Sequence, residues 1–245
     1  MKFWDVYNLG FFHNFFFNKV EDDFILYDDK STYIILTLVG IALVSYLVGS
    51  LNFSILISRF YGADVRDGGS GNAGATNMTR QFGKKAGILT FLGDFLKALL
   101  CTILGIMAFG TLGGILAGFF CIVGHAFPVY FKFKGGKGVA CVVAVALVTS
   151  PLSFAILLLI YAILIFGFKM VSFASIMSIL IYPFLVSRIE YKSLGPQFLI
   201  AMAISILILF LHRKNLARIF NHTEPKISFG KKKKNKENSN ENSEK

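Results

Sequence analysis

Apolar positions along this chain gather into long runs rather than alternating or short periodic patches. The runs cover about 33–58, 87–109, 111–131, 139–166, 171–186 and 197–211. A helix rises 1.5 Å per residue, so about 20 apolar residues cross the hydrocarbon of a bilayer, and each run predicts a membrane-spanning helix. The run 139–166 carries Thr149-Ser150-Pro151 near its middle. Proline at the first helical position after a Ser or Thr cap is a start signal, so this run predicts two short helices joined by a tight turn. The pattern as a whole predicts an all-α polytopic membrane protein of about seven transmembrane helices.

An odd number of spans puts the termini on opposite sides. Between the runs, basic residues concentrate in three places: Arg59, Arg66, Arg80, Lys84 and Lys85; Lys132, Lys134 and Lys137; and Arg213, Lys214 and Arg218. Cytoplasmic loops carry the excess of Lys and Arg, which predicts a cytoplasmic C-terminus and an N-terminus outside. All three clusters then share the cytoplasmic side, and the acidic start with Glu21, Asp22, Asp23, Asp28 and Asp29 lies outside. One loop dissents, with Arg188 and Lys192 external beside Glu190. The organisation expected is an extracellular extension over 1–30, a transmembrane domain over 31–228 and a disordered lysine-rich cytoplasmic tail over 229–245.

Composition agrees with the bilayer as solvent, at 55% hydrophobic residues and mean hydropathy +0.63. The net charge of +11 raises the possibility of a nucleic-acid partner. Once both termini are set aside, sixteen basic and five acidic residues remain in 31–230, clustered in loops. That distribution fits positive-inside topology and anionic ligands, with no nucleic acid. Cys101, Cys121 and Cys141 lie in apolar runs without paired spacing or histidine companions, which speaks against a metal site or a disulfide framework. Residues 1–30 lack the basic start, apolar core and small-residue cleavage site of a signal peptide.

The candidate chemistry sits in the three basic loops. In the first, Gly68, Gly69, Gly71 and Gly74 let the backbone present successive N–H groups to an anion. Ser70, Thr76 and Asn77 add neutral donors, and Arg80 adds a planar fork suited to phosphate. A flexible glycine turn is the bland alternative. In the second, Gly135, Gly136 and Gly138 flank Lys137 at the start of the next helix, whose N-terminal dipole favours anions. This is no nucleotide-binding P-loop, because position 131 is phenylalanine and no Ser or Thr follows Lys137. Three lysines snorkelling to an interface would also account for it. In the third, His212 and Asn215 stand at i and i+3, with Arg218 a further step along, on one face if the last span continues helically. Asp94 and Lys97 stand at i and i+3 inside an apolar run, where a structural ion pair is the first reading.

The combination of Asp64-x-Arg66, GSGNAGATN with Arg80, KFKGGKGVA and HRKNLARIFNHTE resembles the bacterial acyl-phosphate-dependent glycerol-3-phosphate acyltransferases, the PlsY family, over about residues 40–227. That resemblance implies transfer of a fatty acyl group from acyl phosphate to the 1-hydroxyl of sn-glycerol 3-phosphate. The products are 1-acyl-glycerol 3-phosphate and phosphate, in the first acylation of phospholipid synthesis. It implies no cofactor, membrane lipids as surroundings, and a plasma-membrane location with the site facing the cytoplasm. By the resemblance, Ser70, Arg80, Lys137, His212 and Asn215 are catalytic. Gly71, Asn72, Gly74, Thr76, Asn77, Gly135, Gly136, Gly138 and Ser175 bind substrate, with Ser172 a rival for Ser175. Family members usually show glycine where this chain has His222, which puts the geometry of that turn in question. Acyltransferases using acyl-CoA often carry His and Asp separated by four residues, and none of the four histidines has that partner. An organic-phosphate transporter would place its site near the midplane, often with internal repeats, whereas these motifs gather at one border.

Overall fold

The computed structural model describes residues 27–191 and 194–227, and it is helical, with no strand among the described residues. The expected extension and tail lie outside those residues, apart from positions 27–30, which open the first helix. In chain order the helices are α1 (Tyr27–Gly49), α2 (Phe53–Phe60), α3 (Ala75–Ala126), α4 (Val139–Thr149), α5 (Pro151–Phe168), α6 (Val171–Val186), α7 (Pro196–Leu211) and α8 (Arg213–Phe220).

The first apolar run does not continue as one smooth helix. It breaks at Ser50–Asn52, where the Asn52 side chain accepts the Ile55 N–H at 3.2 Å and so caps α2. A helix end buried in apolar surroundings needs partners for its last carbonyls. Lys97, reaching over from α3, supplies them: its Nζ donates to Gly49 O at 2.9 Å and Leu51 O at 2.7 Å. The charge this brings into the interior is matched by Asp94 at 2.9 Å, so the expected ion pair exists and also terminates a neighbouring helix.

The long α3 is interrupted at Gly83 and again at Phe109–Gly110. In a straight helix Gly105 and Gly113 would stand about 12 Å apart. Here their backbones meet so closely that a Cβ on either would collide with the carbonyl of the other, and Gly114 abuts Ile106 in the same way. The chain therefore reverses at Phe109–Gly110 into a hairpin of two apolar arms, held by small residues that let backbones approach. Its second arm packs on α1 through Gly124 against the Tyr46 carbonyl and Gly49 against Cys121.

The break expected near residue 150 is present: α4 ends at Thr149 and α5 starts at Pro151. Four helical stretches are long and apolar enough to cross a bilayer, or five if the bent pair α7–α8 counts as one span. That count takes both arms of the α3 hairpin as one stretch and leaves out α4, whose 11 residues rise only about 16 Å. The interior holds Ile115, Ile122, Val145, Tyr182, Ile204 and Ile208, while Leu36, Leu43, Leu96, Leu159, Ile163 and Ile206 face outward. An apolar exterior of this extent is the surface of a protein dissolved in lipid.

Candidate active site

The Asp64–Arg80 loop is built rigidly. Asp64 accepts the Arg66 N–H at 2.9 Å, opening a short 3-10 turn, and pairs with the Arg66 guanidinium at 2.6 Å. Arg66 then donates to the Phe131 and Lys134 carbonyls at 3.1 and 3.0 Å, which ties the first loop to the second. Asn77, 1% exposed, donates to the carbonyls of Val65, Gly68 and Asn72 and accepts the Ser70 N–H. This corrects its expected part as a free donor to phosphate, because its amide hydrogens are engaged in shaping the glycine loop. Ser70, Thr76 and Arg80, by contrast, are exposed at the N-terminal end of α3.

The second loop is pressed against the first. A Cβ on Gly136 would collide with the Ala73 carbonyl and the His125 ring, so only glycine allows this approach. Gly135 and Gly136 donate their N–H groups to the Ala126 and His125 carbonyls, each at 3.1 Å. Gly138, at φ 75°, then starts α4. Behind the loop, His125 Nδ1 lies 3.3 Å from Asp94 Oδ1 and 3.1 Å from Lys97 Nζ, both buried. A protonated Lys97 has no lone pair to offer, so the histidine serves one of these buried charges while its ring braces Gly136.

The third motif departs from expectation in shape. The last span does not run on helically: α7 and α8 meet at a 59° bend with His212 at the break. The His212 carbonyl accepts the Asn215 and Leu216 N–H groups at 2.8 and 2.9 Å, so it begins α8. Asn215 is the hub of a buried network. It accepts from Lys137 Nζ at 2.5 Å and donates to Ser172 Oγ at 2.6 Å and Glu224 Oε1 at 2.7 Å. Ser172 donates to Glu224 at 2.6 Å and Arg218 pairs with it at 2.7 Å.

These elements enclose a cavity of about 190 Å³. Of the residues singled out in the sequence, Ser70, Asn72, Gly74, Thr76, Asn77, Arg80, Lys137, Gly138, Ser175, His212 and Asn215 line it. Gly71, Gly135 and Gly136 line an adjoining outer cavity instead. Ser172 and Ser175 both face the inner space, so neither displaces the other. The Ser175 hydroxyl has no partner that meets hydrogen-bond geometry, although Tyr161 approaches it. Among the described residues no cluster of His, Cys, Asp or Glu is suited to a metal ion.

The electrostatics are set by burial. Burial pushes Lys137 down to about 8, against the pull of Glu224 and with help from Arg218 and Arg80. Burial and then the Lys137 charge push His212 down to about 4. His212 is therefore neutral near pH 7, and because the Ile208 carbonyl 2.8 Å away can only accept, the proton sits on Nδ1 and Nε2 keeps a lone pair. Burial raises the Glu224 carboxyl, but the hydrogen bonds from Ser172, Asn215 and Arg218 outweigh it and hold the group below its ordinary value. Such a site offers cations for anionic oxygens and an acceptor for a hydroxyl, with Asn215 between them.

A profile of the family described as glycerol-3-phosphate acyltransferase matches residues 39–222. The chain belongs to that family. A glycerol-3-phosphate acyltransferase of Finegoldia magna is 41% identical over 199 residues, 80% of this chain and 98% of the relative. Glycerol-3-phosphate acyltransferase 2 of Bacillus cereus is 38% identical over 195 residues, covering 78% and 96%. The crystal structure of PlsY (YgiH), an integral membrane glycerol 3-phosphate acyltransferase in its glycerol 3-phosphate form, aligns with TM-score 0.74 at 33% identity. That alignment covers 78% of this chain and 96% of PlsY. The lysophosphatidic acid form aligns with TM-score 0.71 at 32% identity, over 78% and 95%. This acyltransferase is thus an integral membrane enzyme whose three motifs meet at one border.

Asp94, His125, Tyr161 and Glu224 also line the acyltransferase cavity, and sequence reasoning did not place them there. Glu224 carried a signal, since a lone acid closing an otherwise cationic motif asks what it neutralises. His222, where the family usually has glycine, adopts φ 55°. His222 thus takes a left-handed conformation, and Thr223 and Glu224 return their N–H groups to the Arg218 carbonyl at 2.8 and 3.1 Å.

Proposed function

We propose that this enzyme transfers a fatty acyl group from acyl phosphate to the 1-hydroxyl of sn-glycerol 3-phosphate, at the cytoplasmic face of the plasma membrane. The products are 1-acyl-sn-glycerol 3-phosphate and inorganic phosphate. The observation that carries the reading is the inner cavity itself, which gathers Arg80, Lys137 and Arg218 beside a neutral His212 and Asn215. Acyl phosphate is a mixed anhydride, already activated, so the enzyme has to hold two phosphorylated molecules and stabilise charge on the departing phosphate. Fixed cations and backbone N–H groups do that without strong general acid catalysis.

The acceptor hydroxyl oxygen forms the new ester bond to the carbonyl carbon, and the bond from that carbon to the phosphate oxygen breaks. The hydroxyl proton passes to the departing phosphate. His212, held at about 4, is a weaker base than a phosphate whose second pKa is roughly 6, so it orients the hydroxyl through Nε2 rather than keeping the proton. Arg80, Lys137 and the Ser70–Thr76 loop take the phosphate oxygens. Asn215, fixed by Ser172 and Glu224, sets the distance between Lys137 and His212.

Purified enzyme supplied with glycerol 3-phosphate and either synthetic acyl phosphate or acyl-CoA should form lysophosphatidate from acyl phosphate. Product from acyl-CoA alone would overturn the donor. An acyl-enzyme trapped on Ser70 or a cysteine in single turnover would overturn direct transfer.

A further inference from the structure

Beside the catalytic cavity lies a second, larger one of about 690 Å³, open to the same border. Its wall toward the inner site is shared: Ser70, Asn72, Lys137, Asn215 and Arg218 face both spaces. Seven basic residues and one acid, Asp67, line the outer cavity. Apart from Lys137, which is bound to Asn215 in the shared wall, the basic groups divide into two sets. Arg66 is neutralised by Asp64, Arg218 is neutralised by Glu224, and Arg213 lies over the Phe210 ring at 4.4 Å and donates to its carbonyl. These are structural cations. Lys132, Lys134 and Lys214 are exposed, and no ion pair engages them among the described residues.

The placement of the first two lysines is held against a conformational cost. Lys132 and Phe133 adopt φ 55° and 57°, consecutive left-handed positions without glycine, which L residues rarely take. What holds the turn is the Arg66 guanidinium on the Phe131 and Lys134 carbonyls, together with the Phe133 N–H on Pro128 O at 3.0 Å. A loop that only had to snorkel would have no need of this turn.

We infer that the outer cavity is an antechamber that binds small phosphate dianions, receiving the acceptor's phosphate before it passes the Lys137–Asn215 wall and releasing inorganic phosphate by the same route. The inference rests on the proposed function for the identity of the acceptor. Three free ammonium groups around one open concavity raise the local concentration of a dianion and its capture rate, an effect that salt screens.

The test is the full-length enzyme in nanodiscs of neutral phosphatidylcholine, comparing wild type with the triple variant K132Q/K134Q/K214Q. At about 20 mM salt, kcat/KM for glycerol 3-phosphate should fall on the order of tenfold while kcat stays within about twofold, and by about 0.5 M salt the difference should close. Inhibition by added inorganic phosphate should weaken in parallel. The charge-retaining variant K132R/K134R/K214R should behave as wild type. If the triple variant proves unstable, K214Q alone should lower kcat/KM about two- to threefold with the same salt dependence.

Unchanged acceptor kinetics and salt slope would overturn the inference. So would a deficit that appears only when anionic phosphatidylglycerol is included in the nanodiscs, since the lysines would then serve lipid headgroups. The assay runs with whichever acyl donor the wild type accepts, so a failed acyl-phosphate assignment and a failed antechamber give different results.

Discussion

Lys137, brought down to about 8, and His212, brought down to about 4, lie on either side of neutral pH, and the order of their titrations decides how the cavity responds. Below about 8 Lys137 is protonated, the form in which the proposed site holds phosphate. As pH rises through 8 it loses that charge, so kcat/KM on free enzyme should decline toward a tenfold loss per pH unit. Lys137→Arg should remove this basic limb, because a guanidinium stays charged, even if the shorter reach of the ammonium is missed in kcat. His212 is already neutral above about 4, so no limb between pH 6 and 7.5 should disappear in His212→Asn; one that did would show His212 to be the base. Arg80→Ala and Lys137→Ala should each reduce turnover by about 100-fold or more while the protein stays folded and monodisperse. These side chains were legible in the sequence because each sits inside a dense local motif. Their supports were not. The bond from Lys137 to Asn215 spans 78 positions, and nothing local to Glu224 reveals that it anchors Asn215 and Ser172.

Helix ends and reversals show the same division. The α4–α5 break was readable from Ser150-Pro151, because a cap followed by proline acts within one turn. The end of α1 was not, since the group that donates to its last carbonyls, Lys97, lies 46 and 48 positions away from Leu51 and Gly49. Lys97→Met should therefore strand the Asp94 carboxylate and two carbonyls, costing about 3–5 kcal/mol, and D94L/K97M should recover part of that loss. Thermal unfolding of the two variants in detergent measures the difference, and equal losses would show that the ion pair is not the cause. At the hairpin, Gly113→Ala places a methyl where the Gly105 carbonyl stands and should cost about 1–3 kcal/mol by the same measurement. The sequence already parted the two arms at residue 110, but the contact of Gly105 with Gly113 across that reversal depends on packing that no local pattern shows.

At the scale of the whole molecule, apolar surface faces lipid on all sides of the bundle, and the chemistry is confined to one end. The border location was legible, because basic loops between apolar runs can lie only at an interface. The division of that border into a smaller inner cavity and a larger outer one was not legible, since it depends on the 59° bend at His212 turning α8 back over the loops. A straight continuation of α7 would carry Asn215 and Arg218 away from Lys137.

The inner cavity's 190 Å³ falls below the roughly 300 Å³ at which pockets begin to enclose even a drug-sized molecule. It has room for the reacting head of a lipid and none for its tail, so the chain of the proposed donor has to remain among the outward-facing leucines and isoleucines, in the bilayer. On the proposed reaction the enzyme would then carry no ruler: with donors of two chain lengths in one membrane, product ratios should track the ratio supplied.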